Sequence, residues 1–332
     1  MILAVPFSLL KDLVLVVGAL LVVSLLTIVG LRRLKCLWAE RRDRLRQVYP
    51  YIGLLTVVLI LNSYVRNYGQ AFSLLLEWRI TGLIYSIEGS LVADIQTYLT
   101  TGFVTLPGIT QLTQFLEGQL GTPPHEQVIA LFSLIYVYGY VFLMVFPFFA
   151  YLAKDRMDSF RQLMLAYGFN YTIGVLCYVL FIAYGPRNFL VPEVEALMYQ
   201  WWPRSQILTG EINTNTNVFP SLHTSISLTV ALFAYRTRDT YRTWLYIATP
   251  IALGVVISTM FLGIHWGVDV VAGAGLAVVS VVLADKVTDE SGKNAWLDRA
   301  GQRVVDTLRQ PFRVAREYLS ELRSENTEGQ SR

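Results

Sequence analysis

Repeated apolar runs, several of them long enough to cross a bilayer, decide the class of this chain before any other signal is read. They cover about residues 13–31, 48–65, 127–153, 162–184, 221–236, 244–262 and 266–285. A hydrocarbon core about 30 Å thick takes roughly 20 apolar residues of helix. The runs therefore predict an all-α, polytopic membrane helix bundle of about seven transmembrane helices. Composition agrees, since charged residues make up 15% of the 332 against about 25% in an average soluble domain.

The net charge of +3 says little by itself, but its distribution sets a topology. With the N-terminus outside, the inner segments hold 22 Lys and Arg and the outer connections four, Arg66, Arg79, Arg187 and Arg204; Lys11, ahead of the first run, makes up the 27. Seven of the 22 crowd the connection 32–47. The positive-inside rule favours this orientation. Lys11 and Asp12 nearly cancel before the first run and no small-residue cleavage site follows it, so that run is expected to be retained and not removed as a signal peptide. Cys36 and Cys177 are too few and too badly placed for a disulfide framework. No Cys/His metal cluster and no Gly-rich phosphate loop appears; neither a metal nor a cofactor is expected, and no nucleic-acid partner.

Residues 67–126 form a long outer segment. Phe72, Leu76, Ile80, Leu83, Ile87, Leu91 and Ile95 recur at three- or four-residue spacing, with Glu77, Glu88 and Asp94 off the stripe. This reads as an amphipathic helix, either a lid over a lipid-entry groove or a surface helix packed on the bundle. Trp201 and Trp202 suit an interfacial aromatic belt. The tail from Lys286 is charged, with a weak pattern of Trp296, Ala300, Val304 and Leu308 that Pro311 interrupts.

The chemistry-bearing residues sit at helix junctions. His265 and Asp269 are four apart, so on a helix they share a face. A carboxylate there can accept the imidazole N–H and leave the other ring nitrogen free to attack. His223 lies at another junction, in Phe219-Pro220-Ser221-Leu222-His223-Thr224. In the expected topology Arg187, Ser221, His223, Thr259, His265 and Asp269 all gather at the outer ends of the helices, and ionisable groups near a membrane mark a functional site by default.

Pro220-Ser221-Leu222-His223 and the Ser258…His265…Asp269 pattern resemble the second and third signatures of the type 2 phosphatidic acid phosphatase (PAP2) superfamily, over roughly residues 127–285. Within it, Phe-Pro-Ser-Leu-His and Thr-Met-Phe-Leu-Gly-Ile-His-Trp-Gly-Val-Asp are most similar to the inositol phosphorylceramide synthase-like branch. The resemblance implies a six-helix core and a lipid phosphatase or head-group phosphotransferase acting through a phosphohistidine. It implies His265 as nucleophile, Asp269 orienting it, His223 as general acid, and Ser221 and Arg187 binding phosphate, with no metal. The implied partners are a lipid phosphate or phospholipid, the membrane, and for transfer a polar alcohol acceptor. Thr259 stands where phosphatase members usually carry Arg, Leu180 where they carry Lys, and Leu222 where Gly is common. These departures leave the phosphate clamp short of cations, for which Arg204 and Arg79 are the candidates.

Plainer roles compete. Ser221 also fits as the helix cap, Thr259 as a packing or helix-bonding residue, His125 as interfacial, and Gly273 and Gly275 as sites of close helix packing. A rival from another class is a non-catalytic lipid-binding or transport protein on the same bundle. Three regions are expected: 1–47, an extra helix and basic loop; 48–285, the catalytic membrane domain with its signatures within 180–269; and 286–332, a charged tail.

Overall fold

A computed structural model of the protein describes residues 4–68, 78–153, 156–206, 218–289 and 293–303. Phe72, Leu76 and Glu77 of the expected stripe, and Val304, Leu308 and Pro311 of the tail, lie outside these residues. Helix α1, Ala4–Ser24, ends in a π turn over Leu25–Val29 and is followed by α2, Leu31–Tyr68. Three short helices come next: α3 Thr81–Glu88, α4 Leu91–Thr97 and α5 Ile109–Leu120. The remaining crossings are α6, Pro124–Ala153, and α7, Met157–Leu180, then after the short α8 Pro186–Phe189 and α9 Leu197–Trp201, α10 Leu222–Arg236, α11 Arg242–Phe261 and α12 Gly267–Lys286.

Among the described residues, six helices are long and apolar enough to cross a membrane: α1, α2, α6, α7, α11 and α12. The chain is an all-α polytopic membrane bundle. The seventh expected crossing, α10, has only 15 residues, about 22 Å of helix at 1.5 Å per residue. It packs against α6, α7, α11 and α12, so its length answers to its helical neighbours and not to the thickness of lipid. Ile226, Val230 and Phe233 of α10 join Phe146, Leu163 and Trp244 in the main core. Small polar groups tie it further: Asn170 of α7 donates to Thr229 at 3.1 Å and accepts from Ser225, the kind of interhelical bonding that joins helices in lipid. At the other end of α10, Arg236 meets Asp285 of α12 with two bonds of 2.8 and 2.7 Å.

Three expectations change. The basic stretch 32–47 is not a loop but the first half of α2, because Arg, Leu, Glu and Lys are good helix formers; Arg44 there bonds Glu40 at 2.7 Å and the Leu152 carbonyl at 2.6 Å. The outer segment is not one amphipathic helix. It breaks at Gly89 and Gly108, with φ of 62° and 85°, and its buried face is Thr81, Ile84, Val92 and Gln96 while Leu83 and Ile87 are 62% and 67% exposed. Residues 295–303 are helical, but Leu297 and Gly301 face the bundle, Gly301 against Pro50, and Trp296 is exposed.

Candidate active site

The site is built where two helices begin side by side. Ser221 is the N-cap of α10 and its hydroxyl accepts the Thr224 amide at 3.3 Å, as a capping serine should. Its own amide donates to the Asp269 carbonyl of α12 at 3.0 Å. The helices touch so closely here that a Cβ on Gly273 would lie 2.5 Å from the Ser221 carbonyl oxygen. Gly273 is thus a close-packing glycine as expected, whereas a Cβ on Gly275 would meet nothing within 4 Å.

His265 lies in the loop Leu262–Trp266 between α11 and α12. Gly263 turns this loop with φ of 68°, and a Cβ there would lie 2.8 Å from Val194 Cγ1, so both backbone and space call for glycine. The amides of Ile264 and His265 then both donate to the Thr259 carbonyl, at 3.0 and 2.9 Å. Thr259 itself is buried, its hydroxyl bonding the Val256 carbonyl at 2.7 Å, the helix-bonding role expected of it. Trp266 closes the loop through its indole N–H, 2.8 Å from the Tyr184 carbonyl.

The His265 ring is buried, 3% exposed, and its Nδ1 lies 3.4 Å from Asp269 Oδ2. That separation is longer than the 2.7–2.9 Å of a charge-assisted hydrogen bond, and Nδ1 makes no hydrogen bond among the described residues. The same carboxylate oxygen accepts the Trp266 amide at 2.9 Å, so Asp269 caps α12 as well as backing the histidine. Across from it, the His223 ring sits between Tyr136 and Tyr140, with centroids 4.7 and 4.6 Å away, and 6.3 Å from the His265 ring.

Arg187 reaches the same loop from α8. Its amide donates to the Gly263 carbonyl at 3.0 Å; its guanidinium lies 4.5 Å over the Tyr199 ring and bonds the Tyr199 hydroxyl at 3.0 Å. Nη1 of Arg187 is buried with no protein partner among the described residues. The backbone thus brings together all five expected site residues, His265, Asp269, His223, Ser221 and Arg187. Arg79 and Arg204 are exposed, and among the described residues neither makes a side-chain hydrogen bond or ion pair with these five. Leu180, standing where a Lys is usual in phosphatases, is the last residue of α7.

Sequence reasoning missed two polar residues beside the loop. Glu88 accepts the Gly267 and Val268 amides at 2.8 and 3.0 Å. Gln96 donates to the Phe261 and Glu195 carbonyls, both at 2.9 Å, and accepts the Glu195 amide at 3.0 Å. The only advance signal was that each is a polar residue in a largely apolar stretch.

Comparison with known proteins now bears on this geometry. A family model described as the PAP2 superfamily matches residues 115–283, half of the chain. The protein belongs to the PAP2 superfamily. Members of the PAP2 superfamily are, in general terms, phosphatases and phosphotransferases. The Uncharacterized protein MJ0662 of Methanocaldococcus jannaschii is 26% identical over 148 residues, covering 44% of this chain and 56% of that protein. The chain thus spans little more than half the length of that curated relative. No solved structure matches this PAP2 protein.

Proposed function

We propose that the protein is a membrane lipid phosphatase or lipid head-group phosphotransferase that works through a phosphohistidine at the extracytoplasmic face. The observation that carries this reading is the pair of imidazoles with ring centroids 6.3 Å apart, one of them backed by a buried carboxylate. A single tetrahedral phosphoryl group bridges such a gap: reacting atoms approach to about 3–3.5 Å and a general acid must lie about 2.6–3.2 Å from its oxygen.

His265 Nδ1 faces Asp269, which leaves Nε2 to attack phosphorus. The N–P bond forms as the P–O bond to the leaving group breaks, and protonated His223 gives its proton to the departing oxygen. Asp269 balances the positive charge on the phosphorylated ring. Water or an alcohol then gives its proton to His223 and attacks phosphorus, releasing His265 and yielding inorganic phosphate or a new phosphoester. Arg187 Nη1 and the start of α10 at Ser221 supply donors for the equatorial oxygens, the positions where charge must be held in such a transfer.

The Phe219–His223 and Thr259–Asp269 stretches are most like the inositol phosphorylceramide synthase-like branch, which favours head-group transfer. A cavity of 610 Å³ lined by Gln96, Thr97, His125, Glu126 and Glu195 among others offers polar groups to an alcohol acceptor, through Gln96 one hydrogen bond from the end of α11. The distribution of Lys and Arg supports an extracytoplasmic site.

Purified protein in detergent, with chelator present, tests the reading on diacylglycerol phosphate and polyprenyl phosphates, with His265→Ala alongside. Phosphate release by the wild type alone supports hydrolysis. Head-group transfer from phospholipid donors to polar alcohols, again lost in His265→Ala, supports the transferase. Neither activity from the wild type turns the assignment to a non-catalytic lipid-binding protein.

A further inference from the structure

We propose that Glu88 and Gln96 are positioning residues that clamp the loop carrying His265 from both of its ends. They stand on α3 and α4, ahead of the region that matches the PAP2 model. Gln96 holds the last carbonyl of α11, Phe261, before the loop begins, and ties it to the backbone of Glu195 through three bonds. Glu88 holds the first two amides of α12, Gly267 and Val268, where the loop ends. The five residues between, Leu262–Trp266, include His265.

The first amides of a helix have no intrahelical partner, and bonds from such amides to a carboxylate are the strong, charge-assisted kind. Glu88 takes two of them with one side chain, and Asp269 takes the preceding one from Trp266. Three consecutive amides, of Trp266, Gly267 and Val268, are thereby fixed, and the ring on the residue just before them inherits their position. The approach is close: a Cβ on Gly267 would lie 3.3 Å from Glu88 Oε2. Gln96 is buried at 6% exposure, and all three of its bonds go to backbone. Side chains chosen only to hold α3 and α4 on the bundle would not need to converge on the two ends of one short loop. Misplacing a reacting group by about 1 Å is enough to lower a rate about 10²-fold, so the clamp acts on catalysis through His265.

The inference rests on the proposed phosphohistidine chemistry for its rate effect, and its test separates the two. In the full chain in detergent, Glu88→Ala removes both amide bonds, Glu88→Gln keeps the size and one acceptor but loses the charge, and Gln96→Leu leaves two carbonyls unpaired. Amide hydrogen exchange is followed by mass spectrometry over residues 259–270, with residues 242–255 as internal reference, and turnover of the lipid phosphate or transfer substrate is measured on the same preparations. The clamp requires exchange over 259–270 to rise about tenfold or more in Glu88→Ala with the reference unchanged. It also requires kcat to fall about 10- to 100-fold with KM within about twofold, and Glu88→Gln to lie between wild type and Glu88→Ala. Unchanged exchange overturns it, as does faster exchange with unchanged kcat, or faster exchange in both regions together. If Glu88→Ala does not fold, Glu88→Gln and Gln96→Leu decide by the same readings. A wild type without turnover sinks the chemistry, while the exchange data still decide whether the loop is clamped.

Discussion

The starts of α10 and α12 lie against each other and present the two signature histidines, yet they satisfy their first amides in opposite ways. At α10 the cap is a neutral hydroxyl, Ser221, taking the Thr224 amide. At α12 three successive amides go to two carboxylates, Asp269 and Glu88. A helix N-terminus carries roughly half a positive charge. At α12 that charge is more than neutralised, so this end suits a neighbouring imidazole that becomes positive. At α10 it is left in place, and Arg187, whose amide donates to the Gly263 carbonyl of the His265 loop, adds a guanidinium. On the proposed reading the phosphate belongs to the α10 side and the phosphorylated ring to the α12 side. The contrast teaches that one local feature, a helix start, serves either sign of charge according to its cap.

Removing the ring at the α12 start has the largest expected effect. His265→Ala is expected to lower turnover by at least about 10³-fold with expression and membrane insertion intact, read as phosphate release or transfer by the purified protein. Next comes the ring on α10. His223→Ala is expected to lower kcat by about 10²–10⁴-fold on a lipid substrate, and far less on an aryl phosphate whose leaving group needs no proton; equal losses on both would exclude His223 as the acid. Arg187→Lys keeps the charge but loses the planar fork and its stacking on Tyr199, and an increase in KM of about tenfold is expected from steady-state kinetics.

Three smaller effects concern how the two helix starts pack. Gly273→Ala forces α12 away from the Ser221 carbonyl and is expected to destabilise by about 1–3 kcal/mol, seen as a lower Tm in detergent. Gly275→Ala, with open space around it, is expected to be neutral or stabilising by about 0.4–1 kcal/mol. Ser221→Ala removes the α10 cap, a loss of about 1 kcal/mol; a drop in kcat/KM beyond that of a purely structural variant of equal Tm would add a phosphate contact to its role.

Much of the bundle was legible because apolar length is a local property. The seven runs correspond to α1, α2, α6, α7, α10, α11 and α12. His265 and Asp269 do come to 3.4 Å, but not as neighbours on one helix face: His265 lies in the loop before α12, and the turn of that loop brings its ring to the Asp269 carboxylate. The stripe of Leu83, Ile87 and Leu91 misled for a physical reason. In water an apolar stripe turns inward, but beside a bilayer apolar side chains lose nothing by staying exposed, and α3 and α4 turn Thr81 and Gln96 inward instead. The basic stretch 32–47 was read for its charge alone, while its helix-forming residues continue α2 through it.

The membrane class, the helical spans and the identity of the residues at the two junctions can be read along the chain, because periodicity and span length follow from backbone geometry and the solvent around it. Which polar groups answer those junctions depends on how the helices pack. Glu88 meets Gly267 across 179 residues of chain and Gln96 meets Phe261 across 165. No local pattern encodes such pairs, since they exist only once packing has brought the start of α12 against α3 and desolvated amides must find an acceptor.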